Sequence, residues 1–426
     1  MKINGLPQKN IRVEVDFYDD EQKQKLLAYP SANRILELVE SGIVSPTQEF
    51  LTYYLFHKKR PGKPGYQDYY ALQRKIGTAI AELGDWVHFN ETSISVPNDA
   101  APQDKAITER VGESIGLAVV NRIHGLTEAD WGKLRELPGR TGRPTFDYEV
   151  ASDGQKIVQV ETKGSCLEVN SQKTSAISNH KGSIVDKKTK IREYEQAGDY
   201  KYPAELRYGT ISVLGYRPDS VAKCWLLDPD PEAVSTPPAQ LRLINRMGFL
   251  RDWISFISPR SQFAAALSTR LADLAAVSNP MELDGIPLRK GNGEELEIVA
   301  PDIWGQPGSA FFANKSRVSD GPSTGVVMQA SSEALVYLGI RDGLAEIAGK
   351  QDFQAIVNSQ YEVGTLRKHI DCFVSEARFL NFDLPDQIKE EARKYGGYYS
   401  FRLSGQMNYS KEGLVFGLLP LTPKVA

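Results

Sequence analysis

Apolar and polar residues alternate over Ile11–Phe17, the period of a half-buried strand. The period lengthens to that of a helix over Ala32–Ser41 and again over Tyr69–Leu83. A long helix is predicted over Lys105–His124, where Val111, Ile115, Ala118, Val119 and Ile123 line one side. Two alternating runs, Pro144–Val150 and Lys156–Gly164, flank Asp153-Gly154 and predict a β-hairpin. Beyond it Thr174–Tyr194 is compatible with a helix, and Leu206–Tyr216 and Ala222–Leu227 read as strands. Further on, Leu241–Ala276 has helical spacing, with Trp253, Phe256 and Phe263 as core residues, and Ser332–Lys350 reads as an amphipathic helix. Tyr398–Tyr409 and Gly413–Leu419 read as strands. Turn-forming residues cluster at Val96–Pro102 and Asp228–Pro238. These breaks divide the chain into an N-terminal α+β part (1–100), a central part (101–235) and a C-terminal α+β part (236–426).

The hairpin carries the chemistry. Phe146, Tyr148 and Val150 share one parity, as do Val158, Val160 and Thr162, so the apolar sets face one side only if equal parities pair. That register predicts a three-residue loop centred on Gly154 and sets Asp147 across from Glu161. Lys163 is one step further along the same face. Two carboxylates at ~4.5–5.5 Å Cβ separation repel unless a cation bridges them, and hard oxygen ligands suit Mg²⁺, with Mn²⁺ as a substitute. The expected ligands are Asp147, Glu161 and the backbone carbonyl of Thr162. Lys163 places a positive charge beside the attacking water and the transition state. In the preceding helix, Glu113 shares a stripe with Gly116, Leu117 and Val120, so a carboxylate is carried on a segment apolar almost all round. Burying it is costly unless it is paired, which leaves Glu113 as a ligand or catalytic neighbour, or else as a helix-end side chain reaching water or an Arg.

Composition narrows the setting. Of 426 residues, 41% are hydrophobic and 25% charged, which is ordinary for a globular protein of more than one domain. No window approaches the ~18 apolar residues of a membrane span. The first residues turn charged too early for a secretory signal, and three scattered cysteines suggest neither a disulfide framework nor a zinc site, so the expected setting is cytoplasmic. The net charge of -3 leaves nucleic-acid binding to local patches. Between Asn170 and Arg192 six bases (Lys173, Lys181, Lys187, Lys188, Lys190 and Arg192) face the single acid Asp186. Lys133, Arg135, Arg140 and Arg143 form a second basic run before the hairpin, and the loop His57–Tyr66 a third. Each is a phosphate contact or a solvated basic face. His180, in the same helix as the first run, is a proton shuttle, a phosphate contact or plain polar surface.

Pro-x-Phe-Asp ending at Asp147, followed by Glu161-Thr162-Lys163 on a strand, resembles the PD-(D/E)xK nuclease superfamily over roughly 105–230. The resemblance implies an α/β (α+β) chain with a restriction-endonuclease-like mixed central sheet flanked by helices. It implies metal binding by Asp147 and Glu161 and action of Lys163 on the water or transition state, with Glu113 as the further acid of the preceding helix. Exonuclease-like branches carry Gln-xxx-Tyr in the helix after the Lys, whereas here the only such spacing, Gln196 with Tyr200, is interrupted by Gly198, which favours an endonuclease. The expected activity is Mg²⁺-dependent cleavage of double-stranded DNA in restriction or anti-phage defence, with Arg140, Arg143, Lys173, Lys181, Lys187, Lys188 and Lys190 on the backbone. The other reading is a non-enzymatic module on a nuclease-like scaffold, binding nucleic acid or a partner protein, or a solvent-facing hairpin with an Asp/Glu/Lys ladder. The C-terminal part is assigned by elimination to recognition, sensing or dimerisation, leaving a homodimer and a partner protein of a defence system open as assemblies.

Overall fold

The computed structural model describes residues 10–57, 83, 87–90, 92–96, 105–132, 146, 148–168, 171–197, 205–228, 237–257, 262–296, 311–318, 321–331, 334–375, 383–395 and 397–421. It is a mixed α/β chain of two compact units. The described residues of Lys9–His57 and Ala81–Asn245 form one, and those of Arg246–Ala426 the other.

The first unit is built on a mixed sheet with strand order β2-β1-β9-β8-β7-β6-β5. The strands are β1 (Asn10–Phe17), β2 (Ile43–Pro46), β5 (Trp131–Gly132), β6 (Tyr148–Ser152), β7 (Ile157–Leu167), β8 (Leu206–Gly215) and β9 (Ala222–Leu227), and a short β3 (His88–Phe89)–β4 (Ile94–Ser95) hairpin joins β8 at Gly215. Helices α1 (Asp20–Leu27), α2 (Ala32–Ser41) and α3 (Thr47–Thr52) precede α4 (Lys105–His124), and α5 (Ser175–Gln196) crosses from β7 to β8, which run parallel. The N-terminal residues were expected as a separate domain ending at 100. Instead β1 pairs in parallel with β9 and β2 pairs with β1, so they extend the sheet of the hairpin. The alternation that predicts β1 is the reason: Ile11, Val13, Val15 and Phe17 form an apolar face that needs a sheet to cover it.

Helix α4 is buried at every position from Val111 to Val120. One side lies against the sheet, where Gly112 and Gly164 let the backbones approach so closely that a Cβ on Gly112 would stand 2.6 Å from the Gly164 nitrogen. Toward its other side come Tyr53 and Tyr54, with the Tyr53 hydroxyl on Asn121 and the Arg110 guanidinium 5.7 Å from the Tyr54 ring. A helix covered on two sides has no polar face, which explains its composition.

The hairpin register is right at one end and wrong at the other. Tyr148 pairs with Val160, as parity requires, but Ala151 pairs with Val158 and Ser152 with Ile157, one residue out of step, with a bulge between. The loop is four residues long, closed by Asp153 and Lys156 (N to O 3.3 Å), with Gly154 at φ +93°. Asp153 causes this: its carboxylate accepts from the amides of Gln155 and Lys156, closing a turn that parity alone does not specify.

In the second unit, helices α6 (Pro238–Ile257, from Arg246 on) and α7 (Gln262–Ala276) are followed by an antiparallel sheet in the order β13-β10-β11-β12-β16-β15-β14. Its strands are β10 (Phe311–Val318), β11 (Gly321–Ser331), β12 (Ala334–Arg341), β13 (Gly364–Ser375), β14 (Arg393–Tyr395), β15 (Tyr398–Tyr409) and β16 (Leu414–Pro420). Because β13 also pairs with β15 along its length, the sheet closes into a barrel, with Leu335, Tyr337, Ile370, Cys372, Phe401, Leu403 and Val415 in its core cluster. The helix predicted over Ser332–Lys350 is a strand for its first half, and only α8 (Asp342–Lys350) is helical. Strand β12 is buried at all eight positions, so no alternation marks it.

Candidate functional site

Strand β7 lies between α4 and α5, and its parity divides the candidate residues. Thr162 and Gly164 face α4; the Thr162 methyl is 3.1 Å from where a Cβ on Gly116 would stand. Glu161, Lys163 and Ser165 face α5. The Glu161 carboxylate has 0% exposure and accepts from Lys163 Nζ at 2.7 Å through Oε1 and from Lys187 Nζ at 2.6 Å through Oε2. A solvent-facing ladder is therefore not what the hairpin makes. Next along the same face, Ser165 Oγ lies 2.9 Å from His180 Nε2. Burial and the Lys163 ammonium hold the His180 imidazole below its ordinary value of 6.5, so it is neutral at neutral pH.

Glu113, one residue past the close approach at Gly112, is 2% exposed in mid-helix, which removes the reading in which it reaches water at a helix end. Asp147 lies outside the described residues, as do Arg140, Arg143 and the loop 58–66. Among the described residues no group of three or more His, Cys, Asp or Glu side chains is placed to hold a metal ion. Of the expected ligands the described residues place the Glu161 carboxylate, a hard oxygen donor of the kind a divalent ion takes, but both its oxygens accept from ammonium groups, so an ion there would have to displace one of them.

The basic run of α5 is largely engaged within the unit. Lys188 is buried, its ammonium on the Asp228 carbonyl and 3.7 Å from that carboxylate, so it is not a phosphate contact in this structure. Lys181 pairs with Asp19 at 2.6 Å, and Lys173 and Lys181 both lie within 5 Å of the Tyr18 ring centre, at 4.8 and 4.9 Å. Lys190 and Arg192 are exposed. Lys187, expected on phosphate, sits on Glu161. The signal for that placement was in the spacing: His180, Ile184 and Lys187 share one side of a helix, and a crossover helix runs back along the strand it follows, setting 187 near 161 and 180 near 165.

No protein-family model matches the chain, and no match was found among curated proteins or solved structures. Among the described residues no helix is long and apolar enough to cross a membrane.

Proposed function

We propose that the first unit is a metal-dependent nuclease of the restriction-endonuclease-like kind, cleaving DNA internally. The observation that supports it most is the buried Glu161 with Lys163 on its carboxylate, on the strand that pairs with β6. The arrangement around it has the order that reading requires: helix α4, the β6–β7 hairpin, helix α5, then strands β8 and β9. In the proposal Asp147, Glu161 and the Thr162 carbonyl hold Mg²⁺ or Mn²⁺, which would supply an activated water and polarise the scissile phosphate. Lys163, paired with Glu161, stabilises the charge that builds on the phosphorus oxygens. A restriction or anti-phage role rests on the resemblance alone.

The test is incubation of the full chain with supercoiled, linear and single-stranded DNA and with RNA, each in Mg²⁺, Mn²⁺ or EDTA. Cleavage that needs metal and is lost in both Asp147→Ala and Glu161→Gln is the expected result. Glu161→Gln is chosen over alanine because it keeps the volume of a fully buried side chain and one of its two acceptor oxygens while removing the charge. Binding to nucleic acid without cleavage under any condition would favour the non-enzymatic module, and a double mutant that cuts like the wild type would remove the site assignment.

A further inference from the structure

Two ammonium groups meet the Glu161 carboxylate, one on each oxygen. Lys163 reaches Oε1 from two residues away on the same strand; Lys187 reaches Oε2 from the facing helix. The carboxylate is sealed from solvent, while the side chains of Lys163 and Lys187 keep 23% and 26% of their exposure. Like charges sharing one anion repel each other, so each lysine is held less tightly than it would be alone. Lys190, about one turn further along the helix from Lys187, is exposed, and the long stem of Lys187 gives its ammonium reach away from Glu161. The same carboxylate oxygen cannot face both an ammonium and a divalent cation.

We propose that Lys187 is an exchangeable counter-ion of Glu161, holding the carboxylate while no nucleic acid is bound and moving onto a backbone phosphate when one is. This rests on the nuclease reading above and adds a regulation to it: the phosphodiester polyanion opens Glu161 to the divalent cation, so the two ligands bind with positive coupling. By linkage, the cation tightens nucleic-acid binding by the same factor.

The experiment uses the full chain as wild type, Lys187→Gln and Lys187→Arg. Mn²⁺ is titrated calorimetrically without nucleic acid, and labelled 20-mers of duplex DNA, single-stranded DNA and RNA are titrated by fluorescence anisotropy in EDTA and in Ca²⁺, with their integrity checked on gels. Lys187→Gln should bind Mn²⁺ about tenfold more tightly than wild type, and Lys187→Arg like wild type. In the wild type Ca²⁺ should tighten the preferred 20-mer by about tenfold, and this gain should vanish in Lys187→Gln. The wild-type gain needs no variant, so a poorly folded glutamine mutant does not rescue the idea: a wild type without it overturns the proposal. Equal Mn²⁺ affinity in wild type and Lys187→Gln, with binding lost in Glu161→Gln, overturns the counter-ion role and leaves the nuclease reading standing. No Mn²⁺ binding by any form, with no metal-dependent cleavage, removes both.

Discussion

The Glu161–Lys163 pair is a carboxylate that would be costly to bury alone, offset by an ammonium 2.7 Å away. Replacing Lys163 by Met keeps the stem and removes the charge, leaving Lys187 to hold Glu161. The fold should therefore lose no more than about 1–2 kcal/mol, far less than a buried ion that has lost every partner. Under the proposed nuclease function, turnover should fall at least about a hundredfold at saturating metal, because there the lost charge would act on the transition state. Parallel thermal melts and single-turnover cleavage separate the two effects, and unchanged turnover would remove Lys163 from the chemistry. Glu161, Lys163 and their strand were readable from the residues themselves, since the Glu-x-Lys parity puts both on one face. The identity of the second cation was not, because it depends on how a helix crosses a strand.

At the scale of elements, the contact between α4 and β7 is made by two glycines. A Cβ on Gly164 would collide with the Thr108 carbonyl oxygen, and one on Gly112 would lie 2.8 Å from the Lys163 carbonyl carbon. The obstacle in both cases is backbone, which cannot swing aside. Gly164→Ala is expected to cost about 3 kcal/mol, the upper range for overpacking, and to lower activity beyond the stability loss because it displaces the strand next to Lys163. Urea unfolding with cleavage measured well below the transition checks both, and a neutral substitution would show that helix and strand separate easily. In this unit β1, α2, α4, the hairpin strands, α5, β8 and β9 were legible in the sequence, whereas α1, β2 and α3 were not. Register was visible only in part: parity fixes the Tyr148–Val160 pair, but the extra turn residue depends on Asp153 capping two amides. Strand β12 was read as helix because a strand buried on both faces has no alternation, and an apolar run alone fits either period.

Across the first unit as a whole, a buried chain of polar groups ties the end of α4 to the hairpin turn and the sheet. His124 Nδ1 lies 3.2 Å from Asp153 Oδ2, and His124 Nε2 lies 3.0 Å from the hydroxyl of Tyr208 on β8. Burial pushes the Asp153 carboxyl up, but His124 and the amides of Lys156 and Gln155 outweigh it and hold the group below its ordinary 3.8. Burial pushes the Tyr208 phenol up to about 12, so it stays protonated. A carboxyl depressed in the folded state stabilises at pH above its unfolded value and loses that contribution as pH falls through the folded one. Asp153→Asn should accordingly cost about 1–2 kcal/mol at pH 7, with the difference closing below pH ~3.8. Urea midpoints of both proteins in steps from pH 7 down into the acid range test it; a gap that does not narrow as the pH falls below ~3.8 would assign the loss to packing.

The parallel pairing of β1 with β9 has a consequence for how the chain is made. Val13 finds its neighbour in Ala222, and Phe17 in Leu226, so the first strand leaves the ribosome long before the strand that covers its inner edge exists. Until then β2 pairs with β1 only over Asn10–Val13, and the edge that β9 will take is open. Contacts so distant in sequence slow folding and prolong exposure of an unpaired edge. Nascent chains halted before residue 222 should stay sensitive to protease and engage chaperones, and release past 228 should protect the whole unit at once.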